Sequence, residues 1–243
     1  MWIKATKDRI SFAKKVLANF DLKGMVVFVK PNIVSFEPYP TTTHPELLEC
    51  VLSILKKWKC EIIVGDGPAP DAGDSEKIIK NHPLQAVCQK IGLTLLNIHK
   101  QPFKKIEGLS ISVLPFQCDF YLSLPVLKSH PNTGLTGALK NQFGLLSNRQ
   151  RLACHAGIMN IHKVIAKLNM IIKPDLTIMD FVQSYREANE ARHGGIPIEP
   201  GWMLAGQDPV ELDVKGFELL KKFDPKLVDL KDIAHIALLR KKN

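Results

Sequence analysis

No two of the five cysteines in this 243-residue chain lie closer than ten positions, so no C-x-x-C pair is present to grip zinc or an iron–sulfur cluster. They are Cys50, Cys60, Cys88, Cys118 and Cys154, an odd number, and all but Cys154 lie in or beside apolar runs. That pattern reads as buried free thiols in a reducing cytoplasm, with no intrinsic iron–sulfur cluster. Long hydrophobic runs are also missing: the longest are five or six residues, and the N-terminal MWIKATKDRISFAKKV has no apolar core for a signal peptide. The expectation is a cytoplasmic protein that does not enter a membrane. Aromatics are only 7%, and no helix-turn-helix or zinc pattern is visible, which argues against a nucleic-acid partner despite a net charge of +9. Hydrophobic residues at 45% and charged residues at 23% exclude disorder and collagen-like repeats.

The most informative absence is of acid. Between Phe120 and Pro174 there is no Asp or Glu in 55 residues, where the average content would place about five. The same window carries Lys128, Lys140, Arg149, Arg151, Lys163, Lys167 and Lys173, together with His130, His155 and His162. Outside it the chain holds 26 basic and 24 acidic residues, so the positive charge is local. A cleft lined by one sign of charge draws anions. A basic helix from Lys163 to Lys173 would account for three of the seven by solvation alone.

What is present is an alternation of helical and strand-like apolar spacing. Ile10, Ala13, Val16, Leu17 and Phe20 recur at helical spacing, and Met25–Val29 is a short β-branched run of the kind buried on both faces. Thr43 with Glu46 forms a capping box before the stripe Leu47, Leu48, Val51, Leu52, Leu55 and Trp58. Strands are expected at Glu61–Val64, Leu93–Ile98, Ile111–Leu114, Phe120–Leu124 and Leu176–Asp180. Helices are expected over 75–90, Ile161–Ile172, Pro209–Phe223 and Asp229–Arg240, with Asp208 and Pro209 as cap and first turn of the third of these. Leu135–Phe143 is a short helix or loop, and the Gly/Pro-rich stretch 193–201 a functional or turn-rich loop. The pattern predicts one α/β domain over 1–243: a doubly wound, mostly parallel sheet, mixed at an edge, with helices on both faces.

In such sheets ligands lie beyond the carboxyl ends of the strands. Four strand ends carry polar residues: Lys30 and Asn32, Asp66, Lys128 with His130, and Asp180. The segment Lys128–Gly144 adds Gly134, Gly137 and Gly144 for close backbone approach, with Thr133, Thr136, Lys140 and Asn141 as donors. Together these make a candidate cradle for phosphate or carboxylate oxygens. The alternative is a glycine-rich turn with Lys140 solvated. Neither a P-loop nor a dinucleotide fingerprint matches. Lys128 and His130, two apart, point the same way if extended, one as general acid/base and the other as electrostatic clamp. Lys128, His130, Lys140 and Asn141 are therefore the candidate catalytic residues. Lys30, Asn32, Asp66, Gly137, His155 and Asp180 are the candidate ligand-binding residues. A divalent metal could be held by His130 or His155 with Asp66 or Asp180. Asp66, Asp71 and Asp74 could instead form Asx turns.

Seven pieces of the chain resemble, in order, the domain-of-unknown-function family 362. They are Lys30-Pro-Asn32, Thr42-Thr-His-Pro-Glu46, Gly65-Asp66, Pro125-x-x-Lys128-x-His130, Thr136-Gly-Ala-Leu-Lys-Asn-x-Phe-Gly144, Lys173-Pro-Asp-Leu-Thr-Ile-x-Asp180 and Ala205-Gly-x-Asp-Pro209. The resemblance implies an anaerobe-associated bacterial or archaeal protein whose relatives are often fused to a ferredoxin-like iron–sulfur module. No cysteine cluster for such a module exists here, so an external iron–sulfur redox protein is the partner it would imply. A small anionic ligand is the partner that the residues themselves point to.

Overall fold

A computed structural model describes residues 1–241. The strands are β1 (Trp2–Ala5), β2 (Val26–Pro31), β3 (Glu61–Asp66), β4 (Leu95–Asn97), β5 (Phe103–Ile106), β6 (Leu109–Ser112), β7 (Phe120–Leu124), β8 (Lys128–His130), β9 (Gly134–Thr136), β10 (Leu176–Phe181), β11 (Ser184–Arg186), β12 (Ile196–Ile198) and β13 (Trp202–Gly206). The α-helices are α1 (Arg9–Leu17), α2 (Pro45–Lys57), α3 (Ser75–Asn81), α4 (Pro83–Lys90), α5 (Ala138–Asn141), α6 (Asn148–His155), α7 (Ile161–Ile171), α8 (Pro209–Leu220) and α9 (Ala234–Arg240). Seven strands form the main sheet in the order β1-β13-β10-β7-β2-β3-β4. The five from β10 to β4 run parallel, and β13 and β1 add an antiparallel edge.

Side chains alternate between two apolar clusters, as period-two geometry requires of a sheet covered on both faces. Val27, Val29, Leu122, Leu176 and Ile178 join one cluster with helices α1, α2 and α4. Phe28, Tyr121, Met179, Phe181 and Leu204 join the other with α5, α7, α8 and α9. Helix α2 buries Leu47, Leu48, Val51, Leu52 and Leu55 completely, so truncating any of these leucines to alanine would cost about 2–5 kcal/mol. Asp208 caps α8 as its spacing predicts, accepting from the amides of Val210 and Glu211 with Pro209 in the first turn.

Several local expectations are corrected. Thr43 is not a cap: its hydroxyl accepts from Asn32 N (2.7 Å) and donates to Leu124 O (2.6 Å), lacing β2 to β7, while His44 caps α2. The helical stretch expected over 75–90, with its interruption at Pro83, is two helices divided at His82–Pro83, because proline cannot continue the first. Ile111–Leu114 is not a strand of the main sheet: Leu109–Ser112 pairs with β5 in a hairpin, Ile111 makes a single antiparallel bridge to Leu146, and Leu114 begins a turn of 3-10 helix. The loop 193–201 contains β12, which closes a hairpin with β11.

The parallel order reverses direction at β2. The chain runs from β2 outward through β3 to β4, then returns to place β7 on the other side of β2. The loops leaving β2 and β7 therefore part company at their carboxyl ends, which is where open sheets form crevices. No helix among the described residues is long and apolar enough to cross a membrane.

Candidate functional site

A cleft of about 310 Å³ opens at that reversal point. Its wall includes Lys30, Asn32, Asp66, His130, Lys140 and Asn141, joined by Phe143, Arg151, His155, Glu190 and His193. Most of the residues expected from sequence are thus brought together from β2, β3, β8, α5 and α6.

Lys30 is buried at the end of β2 and pairs with Asp66 at the end of β3 at 2.6 Å. Burial lowers the lysine's pKa, with Asp66 opposing it. Asp66 is held on both oxygens: Oδ1 also accepts from Gly67 N (2.7 Å), and Oδ2 accepts from Ile33 N (2.6 Å). No group of three or more His, Cys, Asp or Glu among the described residues could hold a metal. The metal set suggested by Asp66, His130 and His155 is therefore not formed. Asn141 accepts from Lys30 (3.3 Å) and donates to Ser123 Oγ (2.9 Å), so it braces the floor of the cleft.

Lys128 does not reach the cleft. Its ammonium, fully buried, donates to the Thr41 carbonyl and to Asn32 Oδ1 (3.3 Å), holding the wall from behind. Burial brings its pKa down to about 7. Asp180 is likewise diverted: it pairs with Arg9 at 2.6 Å and accepts from Tyr39 Oη at 3.0 Å, and it does not line the cleft. Gly137 makes no ligand cradle, because the carboxylate of Asp213 occupies that place. Asp213 accepts from the amides of Ala138 (2.6 Å) and Leu139 (3.0 Å), the position an external anion would have taken. A side chain at residue 137 would collide with it. Burial pushes Asp213 up to about 7 despite those two bonds. The aspartates after β3 separate: Asp71 pairs with Arg192, and Asp74 caps α3.

Two cations remain available. Lys140 has no hydrogen bond or ion pair among the described residues, and its ammonium sits over the Phe143 ring at 5.2 Å. Burial, reinforced by Arg151, brings it down to about 8. Arg151 is 6% exposed, and its guanidinium is 5.8 Å from the centre of the same ring. Its Nη1 donates to the carbonyls of Gly67 (2.9 Å) and Pro68 (2.7 Å) and meets His99 Nε2 at 3.1 Å. The Nε and Nη2 edge has no partner among the described residues, and Nε is wholly buried. Burial lowers the guanidinium to about 10.

His130 is buried, and its Nδ1 accepts from Asn132 N at 3.1 Å, which leaves the ring proton on Nε2. Burial first, then Lys140, His155 and Lys128, hold it well below its ordinary pKa, so it is neutral. His155 lies exposed on the rim, its ring edge-on to Phe143 at 5.9 Å, and burial with Lys140 lowers it too. Over the mouth, Glu190 is clasped by Arg192 (2.7 Å) and by Asn189 (3.0 Å), and Arg192 reaches Asp71 at 3.0 Å. Each cleft carboxylate is thus already paired, while Lys140 and Arg151 are not.

Sequence reasoning counted Arg151 as charge but missed it as a site residue, along with Glu190 and His193. The available signal was spacing: Arg151 and His155 stand four apart in an acid-free segment and share a helix face. Nothing local marks Glu190, which arrives by long-range folding. Of the seven basic residues, Arg149, Lys163 and Lys173 are exposed and Lys167 is half-buried.

The family model described as "Domain of unknown function (DUF362)" matches residues 27–218. A thylakoid-associated protein of Synechocystis is 25% identical over 219 residues, covering 86% of this chain and 67% of that protein. Among solved structures, the lactate racemase apoprotein from Thermoanaerobacterium thermosaccharolyticum is similar with a TM-score of 0.55 at 13% identity. That match covers 90% of this chain, which spans only 57% of the racemase chain, and the likeness is one of fold. A Thermotoga maritima protein matches with a TM-score of 0.47 and 15% identity, over 93% of this chain and 61% of that one.

Proposed function

The chain belongs to the DUF362 family, and from its cleft we propose an enzyme that binds and acts on a small phosphate- or carboxylate-bearing molecule. One observation carries the reading: a buried arginine whose Nε–Nη2 edge has no partner among the described residues lines the cleft with a lysine without an acid partner. That edge of a guanidinium offers two parallel hydrogen bonds to a carboxylate or phosphate, and its other nitrogen is already anchored on two carbonyls. Anchoring fixes the fork before the ligand arrives, so little side-chain entropy is lost on binding. Lys140 supplies a second charge, and the neutral His130 offers a hydrogen-bond donor on Nε2. Asn141 and Lys30 keep the floor in place.

The test is calorimetric titration with inorganic phosphate and with small carboxylates. Arg151→Gln and Lys140→Met should each weaken binding about 10- to 100-fold, the worth of one charge-assisted contact. Lys163→Ala, on the exposed side of α7, should leave it unchanged. Lys140→Met should also keep the melting temperature, since the ammonium has no hydrogen bond to lose. Absence of anion binding by the unaltered protein, or equal binding by all three variants, would refute the reading.

A further inference from the structure

We propose that Lys140 is a nucleophilic amine that condenses with the carbonyl of a small oxo acid, the acid's carboxylate being held on the unpartnered edge of Arg151. This rests on the reading of the cleft as an anion site and names a substrate class for it.

The contrast between the two cleft lysines is the starting point. Lys30 does structural work and is paired with Asp66 at 2.6 Å. Lys140 has no counter-charge, lies against the Phe143 ring, and lines the cleft with Arg151, which contacts the same ring. A lysine desolvated beside a second cation is one whose free amine is accessible near neutral pH, which nucleophilic catalysis by lysine requires. The groups that bear on it are Arg151, Cys154 and His155 from α6, Glu190 from the mouth, Asp71 from the loop after β3, Lys128 and His130 from β8, and His235 from α9. Their balance leaves its pKa near 8. Because the amine and the guanidinium lean on one ring, a carboxylate seated on Arg151 leaves its adjoining carbonyl carbon in the same cleft as the amine. An oxo acid supplies both groups in one small molecule.

The step balances without any redox partner. The amine lone pair forms a C–N bond as the carbonyl π electrons move to oxygen, which takes up a proton to give a carbinolamine. The carbinolamine hydroxyl then leaves as water with a second proton, and the nitrogen lone pair forms the C=N bond. The sum is one ammonium and one carbonyl giving one iminium and one water. His130, with its proton on Nε2, is a donor for the developing hydroxyl.

The experiment traps the iminium by reducing it with sodium cyanoborohydride in the presence of pyruvate, followed by peptide mass mapping. The expected product is one adduct on Lys140, heavier by the mass of the oxo acid less one oxygen atom. At pH 7 about one Lys140 amine in ten is free, against about one in three thousand for an ordinary lysine. Allowing for the lower nucleophilicity of the weaker base, labelling should run more than ~10-fold faster than at surface lysines. Inorganic phosphate should slow it by competing for Arg151. Lys140→Arg keeps the charge and the anion binding and should lose the adduct. Equal labelling across surface lysines, or an unchanged adduct pattern in Lys140→Arg, overturns the proposal. If pyruvate binds calorimetrically and no adduct forms, the nucleophile is refuted while the anion site stands. If pyruvate and phosphate both fail to bind, both readings fall together.

Discussion

The pair His162–His235 sets how this fold should respond to acid. The rings stack with centroids 5.2 Å apart, and their Nδ1 atoms meet at 2.9 Å, an arrangement that works only while one nitrogen is unprotonated. His235 is fully buried in α9, its Nε2 has no partner, and burial pushes its pKa down to about 3. A base with a depressed folded pKa binds protons more readily when unfolded, so its contribution to stability is present above 6.5 and lost as pH falls. Between pH 7 and 4.5, His235 alone should remove about 3 kcal/mol. His82 and His99, both held near 4 by burial, should remove a similar amount each. Asp213 acts in the opposite sense: its raised pKa makes the folded state lose stability as pH rises toward 7, offsetting about 3 kcal/mol over the same range. These four groups together remove about 4–6 kcal/mol on acidification, comparable to the whole stability of many domains, and the buried His130, also held low, acts in the same direction. Urea denaturation at pH 7 and 4.5 measures it. His235→Asn, whose side-chain oxygen can stand where Nδ1 stood, should cost about 1–3 kcal/mol at pH 7 from the lost volume. It should also shrink the acid-dependent loss by about 3 kcal/mol. An acid-dependent loss in His235→Asn equal to that of the unaltered protein would refute the reasoning.

Other perturbations separate binding from folding. Asp180→Asn breaks the buried pair with Arg9 and should cost about 3–5 kcal/mol by thermal or chemical denaturation, with phosphate affinity unchanged at a temperature where the variant is folded. Gly144→Ala places a Cβ 2.6 Å from Asp66 Oδ1 and 3.0 Å from Lys30 Nζ, so it should cost about 1–3 kcal/mol and weaken phosphate binding together. Anion affinity should fall as pH rises through about 8, where Lys140 loses its charge, and titrations from pH 6.5 to 9.5 should show no such decline in Lys140→Met. Asp213→Ala strips the amides of Ala138 and Leu139 of their acceptor, loosening the helix that carries Lys140. Phosphate affinity should drop several-fold even though Asp213 lies outside the cleft.

The central strands are legible because burial on both faces demands continuous apolar runs, as at Met25–Val29, Phe120–Leu124 and Leu176–Asp180. The edge is not: Trp2–Ala5 is mostly exposed beyond Trp2, so nothing in WIKA distinguishes a strand from a tail. The hairpin of β8 and β9 is hidden for another reason, since Lys-Ser-His and Gly-Leu-Thr carry no strand-like apolar pattern and are paired by the turn between them. For the site, the strand-end rule located Lys30, Asn32, Asp66 and His130, which lie in or just after strands. It could not tell that Arg9, folding in from α1, would claim Asp180, or that Asp213 would fill the nest at Gly137. Such assignments depend on which distant partner arrives, and a single sequence does not encode that locally.

The reversal of strand order at β2 divides authorship of the cleft. Lys30 and Asp66 come from the portion of chain before the β5–β6 hairpin, whereas His130, Lys140 and Arg151 come from the portion after it. The earlier portion contributes a lysine already neutralised by its aspartate, and the later one contributes the cations without acid partners. The later cations depend on the earlier portion all the same, because Arg151 is anchored on the carbonyls of Gly67 and Pro68, so the later portion alone lacks the fixed guanidinium. The turn of that hairpin, at Glu107 and Gly108, lies on the surface in left-handed backbone, with open space where a side chain at 108 would stand. Cutting the gene there would yield two pieces that acquire anion binding only by finding each other, turning a ligand titration into a gauge of their reunion.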